Sequence, residues 1–183
     1  MPGNPVGGVG SGAATLRTGQ ACRRATCELV VWGVATSQQI LEKARTVLLI
    51  DWPSPAVPRA LLEARFHVFG FSPGGYSRAE LAAVPPAARD GVRSFSPEGK
   101  GETGHLVFHR LDRRPDQVDI VYVYRPSGEL PGILVTHAVP LHATAVWLQP
   151  PLRVADARWL AETGGPEIIE GCDIVELARG LRR

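Results

Sequence analysis

The chain is poor in net charge, cysteine and long apolar runs, and each shortage argues against a class of protein. A formal net charge of +2 is too small for a nucleic-acid-binding surface, and the arginines are scattered along the chain. Three cysteines, an odd number, cannot all pair within one chain and suit a reducing cytosol. No apolar run approaches the roughly 20 residues that span a bilayer. We therefore expect a cytoplasmic protein with neither a nucleic-acid nor a membrane partner.

The first 33 residues differ in composition from the rest. They are rich in Gly, Pro and Ala without an apolar period, which predicts a flexible arm. We hypothesise that the functional domain is 34–183 and that the arm reflects an upstream start-site assignment; a genuine, unstructured arm is the alternative. Gly8–Ala13 has the spacing of a dinucleotide-binding fingerprint, but no strand precedes it. Cys22 and Cys27 lack two further zinc ligands nearby and are interpreted as free thiols.

From residue 37 onward, apolar strand patterns alternate with helical ones. Val118–Tyr124 is apolar on both faces, as in a buried parallel strand, and 46–50 is its expected neighbour. The other strands are predicted at 66–71, 143–149 and 167–169, and the helices at 38–44, 57–65, 129–142, 154–163 and 173–181. This alternation predicts an α/β, Rossmann-like, doubly wound parallel sheet of about five strands, most simply in the order 3-2-1-4-5.

Residues 74–117 interrupt the alternation and are interpreted as a β-hairpin insertion. Strands are predicted at 92–95 and 105–111, after a helical turn at 78–83. Lys100 does not belong to a phosphate-binding loop, because glycine follows it where Ser or Thr is required. His105 and His109 share a face of one predicted strand, but no further ligand stands at metal-binding spacing.

Several stretches together match the order and spacing of a known family. They are Leu41–Val47, Val118–Val121 through Arg125, Ala145–Gln149, and Cys172 followed by Glu176 and Arg179. The chain resembles the small bacterial CoA-binding proteins, whose Rossmann-like domain is related to the CoA-binding domain of succinyl-CoA synthetase. The resemblance implies CoA or acyl-CoA as ligand. In that family the first strand usually ends in a glycine-containing loop beside the nucleotide phosphates, and Asp51 stands where the glycine is expected.

Candidate ligand-binding residues follow the predicted strands, because open α/β sheets bind ligands beyond the carboxyl ends of their strands. They are Asp51, Trp52, Pro53, Ser54, Ser72, Pro73, Tyr124, Arg125, Pro126 and Gln149. Arg125 can fork two donors onto a phosphate or pair with Asp51 across the crevice. Tyr124 and Trp52 can stack on adenine or belong to the core. Gln149 can recognise adenine or a pantetheine amide, or satisfy the backbone of its proline-rich neighbours.

Catalytic chemistry has little support in the sequence. Cys172 is the one candidate nucleophile, a thiol beside a helix start, with a buried, inert cysteine as the alternative. No Gly-x-Ser-x-Gly elbow is present. The preferred function is a CoA- or nucleotide-binding protein without its own catalytic residues or metal. An NAD(P)-dependent oxidoreductase is disfavoured, because Phe71-Ser72-Pro73 offers no acid for the ribose hydroxyls. A third hypothesis is that the chain is an interaction protein with a degenerate pocket and that the 74–117 insertion is its contact surface.

Overall fold

The computed structural model describes residues 36–98, 102–153 and 164–181. The arm predicted over 1–33, with Cys22 and Cys27, and the helix predicted over 154–163 lie outside these residues. The strands are β1 Thr46–Ile50, β2 His67–Ser72, β3 Gly75–Ala82, β4 Val92–Phe95, β5 His105–Arg110, β6 Ile120–Val123, β7 Ala145–Leu148 and β8 Glu167–Ile169. The α-helices are α1 Ser37–Lys43, α2 Ala56–Glu63, α3 Leu130–Ile133 and α4 Ile174–Gly180.

One mixed sheet of eight strands, in the order β4-β5-β3-β2-β1-β6-β7-β8, runs through the described residues. β2, β1, β6, β7 and β8 are mutually parallel, whereas β3, β4 and β5 pair antiparallel and extend the sheet beyond β2. The α/β class is confirmed, and β1 and β6 are neighbours as expected. The predicted parallel sheet of about five strands is wrong in strand count and in order, because the sheet is mixed and has eight strands. Numbered along the chain, its five parallel strands run 2-1-3-4-5 and not 3-2-1-4-5. The antiparallel β3 occupies the outer side of β2, so the next parallel strand, β6, pairs on the far side of β1.

The helical turn predicted at 78–83 is wrong, because these residues belong mostly to strand β3. Gly75, with φ +107°, follows the two-residue turn Pro73–Gly74 and lets the chain reverse directly from β2. In β3, Ala79 and Leu81 alternate towards the core, and the strand pairs with β5 as well as β2. The predicted hairpin of β4 and β5 is confirmed, as a part of the main sheet.

Helices cover both faces of the parallel strands. On the first face, Leu49, Tyr122 and Trp147 pack in one apolar cluster with residues of α1, α2 and α4. On the second face, Leu48, Val121 and Val146 pack against the helical segment 127–138. This segment consists of a 3-10 turn at Ser127–Glu129, then α3, then a π-helical turn at Leu134–Ala138. Residues at the carboxyl ends of the strands therefore point to one helical layer or the other.

The amino ends of β1 and β6 are joined through one carboxylate. Asp119 Oδ2 accepts hydrogen bonds from the Arg45 amide at 2.7 Å, the Thr46 amide at 2.9 Å and the Thr46 hydroxyl at 2.8 Å. Burial alone would raise the pKa of the Asp119 carboxyl, but these hydrogen bonds outweigh it and the pKa lies below its ordinary value. Asp119 thus fixes the register of the two central strands.

Candidate functional site

Three predicted site residues stand side by side at the carboxyl edge of the parallel strands. Ile50, Val123 and Leu148 are paired across β1, β6 and β7. The hydrogen bonding continues one residue further, from the Tyr124 amide to the Ile50 carbonyl and from the Gln149 amide to the Val123 carbonyl, each at 3.2 Å. Asp51, Tyr124 and Gln149 therefore form a row of first residues after three adjacent strands, which we call the edge row.

Asp51 has a backbone conformation that favours glycine. Its φ is +64°, in the left-handed region, and its carboxylate Oδ1 accepts a hydrogen bond from the Trp52 amide at 2.9 Å. The side chain does not cap α2, because the N-cap residue is Pro55 and makes no side-chain cap bond. The backbone turn at residue 51 is therefore of the kind that suits the glycine expected here, although the residue is an aspartate.

Arg125 is held by two carboxylates of its own chain. Its Nε and Nη2 lie 2.9 and 3.2 Å from the two oxygens of Glu129, four residues later, and its Nη1 lies 3.4 Å from Asp51 Oδ2. Hydrogen bonding to Glu129, and less strongly to Asp51, holds the pKa of Arg125 above its ordinary value. The side chain remains 43% exposed. One cation and two anions leave this trio with a formal charge of −1, so a ligand phosphate must compete with a carboxylate for Arg125.

Trp52 packs against the antiparallel part of the sheet. Its ring stacks on that of Phe108 in β5, with centroids 5.0 Å apart and planes 13° from parallel. Phe108 is buried, and the Phe95 ring lies nearly perpendicular to it, with the two ring centroids 6.1 Å apart. Trp52 therefore packs as part of the apolar core, which was one of the two alternatives for it. Of the two aromatic residues predicted at this edge, Tyr124 is the more exposed, at 37%.

The remaining predicted residues lie in the loops around the edge row. Pro53 and Ser54 are exposed in the short connection from β1 to α2, and Ser72 and Pro73 belong to the reversal between β2 and β3. Pro126 precedes the 3-10 turn that carries Glu129. These residues shape the rim, and the structure gives their side chains no further role.

Two of the buried polar atoms that have no hydrogen-bond partner belong to residues in or near the edge row. One is Oε1 of Gln149, a residue only 7% exposed, and the other is the hydroxyl of the fully buried Tyr122. Burial, followed by the nearby Asp173, Tyr124 and Asp51, raises the pKa of the Tyr122 phenol, so it stays neutral. Sequence reasoning missed Tyr122, since an aromatic inside an apolar strand reads as core. An isolated polar atom of this kind costs about 1–3 kcal/mol.

Cys172 does not present the free thiol considered from the sequence, because it is disulfide-bonded. It is 1% exposed, and its carbonyl accepts a hydrogen bond from Trp147 Nε1 at 3.0 Å. The Ser37 hydroxyl lies 3.6 Å from its sulfur. A nucleophilic role would require reduction, so the residue is a structural link between α4 and the sheet.

Metal sites and membrane-spanning helices have characteristic geometries, with which the described residues can be compared. No group of three or more His, Cys, Asp or Glu there could hold a metal ion. His109 Nε2 lies 3.0 Å from Glu80 Oε1, and His105 belongs to the same strand. None of the described helices is long and apolar enough to cross a membrane.

Comparison with known proteins finds a matching family and several solved structures of similar fold. Residues 51–178 match the family described as CoA binding domain. One solved structure, "The structure of cell-free ID.343 from Thermus thermophilus", is 25% identical, with 78% of this chain and 94% of that chain covered and a TM-score of 0.48. No curated protein matches the chain significantly. The family match begins at Asp51, the first residue of the edge row.

Proposed function

Because the chain belongs to the CoA binding domain family, we propose that it binds CoA or acyl-CoA over the carboxyl ends of β1, β6 and β7. The edge row carries this proposal: three adjacent parallel strands end together in Asp51, Tyr124 and Gln149, where ligands of open α/β sheets bind. The domain is Rossmann-like, spans 34–183, and supplies binding groups rather than a catalytic residue.

Arg125 is the proposed contact for a CoA phosphate. Its guanidinium lies at the same edge and is partly exposed, and it donates hydrogen bonds to the carboxylates of Glu129 and Asp51. A phosphate carries more negative charge than either carboxylate and, like Glu129, can bind the guanidinium through two oxygens, so ligand binding exchanges one ion pair for another. Affinity is therefore modest, and it depends on how firmly Glu129 holds Arg125.

Calorimetry with CoA, acetyl-CoA, ATP and NAD tests the ligand class. We expect CoA and acetyl-CoA to bind more tightly than ATP and NAD. Equal binding of all four, or no binding, contradicts the proposal, and a preference for NAD favours the oxidoreductase reading. Native mass spectrometry of freshly purified protein provides a second measurement, because a copurifying ligand of CoA mass supports the proposal directly.

Variants at Arg125 and Glu129 test the phosphate contact in opposite directions. Arg125→Ala should weaken CoA binding by about tenfold to a hundredfold, through the loss of charged hydrogen bonds. Glu129→Gln should tighten it, since the amide releases the guanidinium. Arg45→Ala is the matched control, because Arg45 is an exposed arginine at the amino end of β1. If Glu129→Gln weakens binding as Arg125→Ala does, the pair acts as a structural unit and the phosphate lies elsewhere.

A further inference from the structure

We propose that Gln149 and Tyr124 form an adenine-binding subsite, with the Gln149 amide reading the polar edge of the base and the Tyr124 ring lying against its face. This assignment rests on the proposed CoA-type ligand and adds where its base binds. The two residues follow β6 and β7, whose final residues Val123 and Leu148 are paired, so they are cross-strand neighbours in the edge row.

The Gln149 amide has unused hydrogen-bonding capacity at the place where a ligand is expected. Its backbone is satisfied, because its amide bonds to Val123 and its carbonyl accepts from Leu152 at 3.0 Å. Its side-chain Oε1 is buried without a partner. A rotation of the terminal amide presents both an acceptor and a donor to a planar ligand. Binding then removes the cost of the isolated oxygen.

Tyr124 supplies the stacking surface that the base requires. It is among the few large apolar side chains exposed in the described residues, at 37%. Trp52, the other aromatic at this edge, already stacks on Phe108. A purine has a flat, apolar face and a polar edge. An exposed aromatic ring can stack on the face, and an unpaired amide can hydrogen-bond to the edge.

Adenine fits this pair better than the pantetheine half of CoA. Adenine carries an amino donor next to a ring-nitrogen acceptor on one edge, and a glutamine amide can bind both at once. The trans amides of pantetheine point their N–H and C=O in opposite directions, so one glutamine amide satisfies only one of them. Pantetheine also lacks an aromatic face for Tyr124. The chemistry of the pair thus selects the base.

A ligand-and-variant cycle tests the subsite. The affinity of adenosine 3′,5′-bisphosphate is compared with that of the same molecule lacking the 6-amino group. Both ligands are measured on wild type, Gln149→Met and Gln117→Met. The last variant is the control, because Gln117 is an exposed glutamine at the opposite end of β6. Loss of the amino group should weaken binding about tenfold in wild type and Gln117→Met, and hardly at all in Gln149→Met. Tyr124→Leu should weaken both ligands equally, and Tyr124→Phe should retain them.

The stability of ligand-free Gln149→Met separates recognition from a structural role. Because methionine removes an unpaired buried oxygen, the variant should melt at or above the wild-type temperature. A large loss of stability, or an equal effect of the 6-amino group in wild type and Gln149→Met, overturns the subsite while CoA binding stands. The subsite is also overturned if Gln149→Met binds pantetheine more weakly than wild type does but binds adenosine 3′,5′-bisphosphate equally well. Absence of any CoA binding to wild type instead removes the proposed function and this subsite with it.

Discussion

At the scale of single residues, Asp51 combines a strained backbone with a weak ion pair. Left-handed φ costs a residue with a Cβ about 1–2 kcal/mol relative to glycine, whereas an exposed pair such as Asp51–Arg125 contributes little. We expect Asp51→Gly to be about 1–2 kcal/mol more stable than Asp51→Ala, because both remove the carboxylate and only glycine removes the strain. Denaturant unfolding of the two variants measures the difference. Equal stabilities would contradict a left-handed backbone at residue 51.

The sequence predicts the edge row and, as one of two alternatives, the pairing of Arg125 with Asp51, but not the contacts of Glu129 and Tyr122. Asp51, Tyr124 and Gln149 follow apolar runs, so each can be placed at a strand end from pattern alone. Glu129 could have been found as a carboxylate four residues after Arg125, a spacing that brings side chains together in a helical turn. Tyr122 carries no such signal, because only the tertiary structure shows that its hydroxyl is unpartnered.

At the scale of elements, Asp119 links β1 to β6 in a pH-dependent way. A lowered folded-state pKa means that the carboxylate stabilises the fold above its unfolded pKa of about 3.9, and that this contribution is lost as pH falls through the folded value. Asp119→Asn should therefore lower the unfolding free energy by about 1–3 kcal/mol at pH 7. The difference from wild type should shrink below about pH 4.

Unfolding of Asp119→Asn across pH, beside the exposed control Asp116→Asn, provides the measurement. A deficit that stays constant down to pH 3 would show that the charge of Asp119 is not what joins the two strands.

The junction between the parallel strand β2 and the antiparallel strand β3 is tightly packed at Gly70. A Cβ there would lie 3.1 Å from the buried Phe108 ring and 3.1 Å from Ser77 Oγ, whereas one at Gly74 would meet only Ser72 Oγ at 3.7 Å. Gly70→Ala should destabilise the protein by about 1–3 kcal/mol through overpacking. Gly74→Ala should change stability far less, and denaturant melts of both variants compare them. Equal effects would mean that the Phe108 ring moves aside readily.

Strand β3 shows why the sheet order was not predictable from the sequence. Besides Tyr76, only Ala79 and Leu81 of this strand pack against an apolar cluster, and the polar Arg78 and Glu80 that alternate with them also fit a short helix. Strand pairing with β2 and β5 decides the conformation, and tertiary context of this kind overrides local propensity. With β3 read as helix, the free side of β2 remained open to another parallel strand. The error in one element therefore changed the predicted order of the whole sheet.

At the scale of the whole molecule, the disulfide at Cys172 should contribute to global stability. A native disulfide typically adds about 2–4 kcal/mol to the unfolding free energy. We expect a reductant to lower the melting temperature of wild type, and Cys172→Ser to melt at the reduced value with no further response to reductant. Thermal unfolding with and without dithiothreitol measures both. A wild-type melting temperature that reductant does not change would contradict a stabilising disulfide.

The antiparallel extension also decides which backbone groups the sheet offers to other molecules. Without β3, the six-residue β2, with Val68, Phe69 and Phe71, would be an edge on which a foreign chain could add strands. With it, the described sheet ends instead at the four-residue β4, with the exposed Arg93 and Ser94, and at the three-residue β8. Short and charged edges of this kind resist strand addition. We therefore expect the segment that interrupts the parallel pattern to reduce the pairing of this sheet with foreign chains.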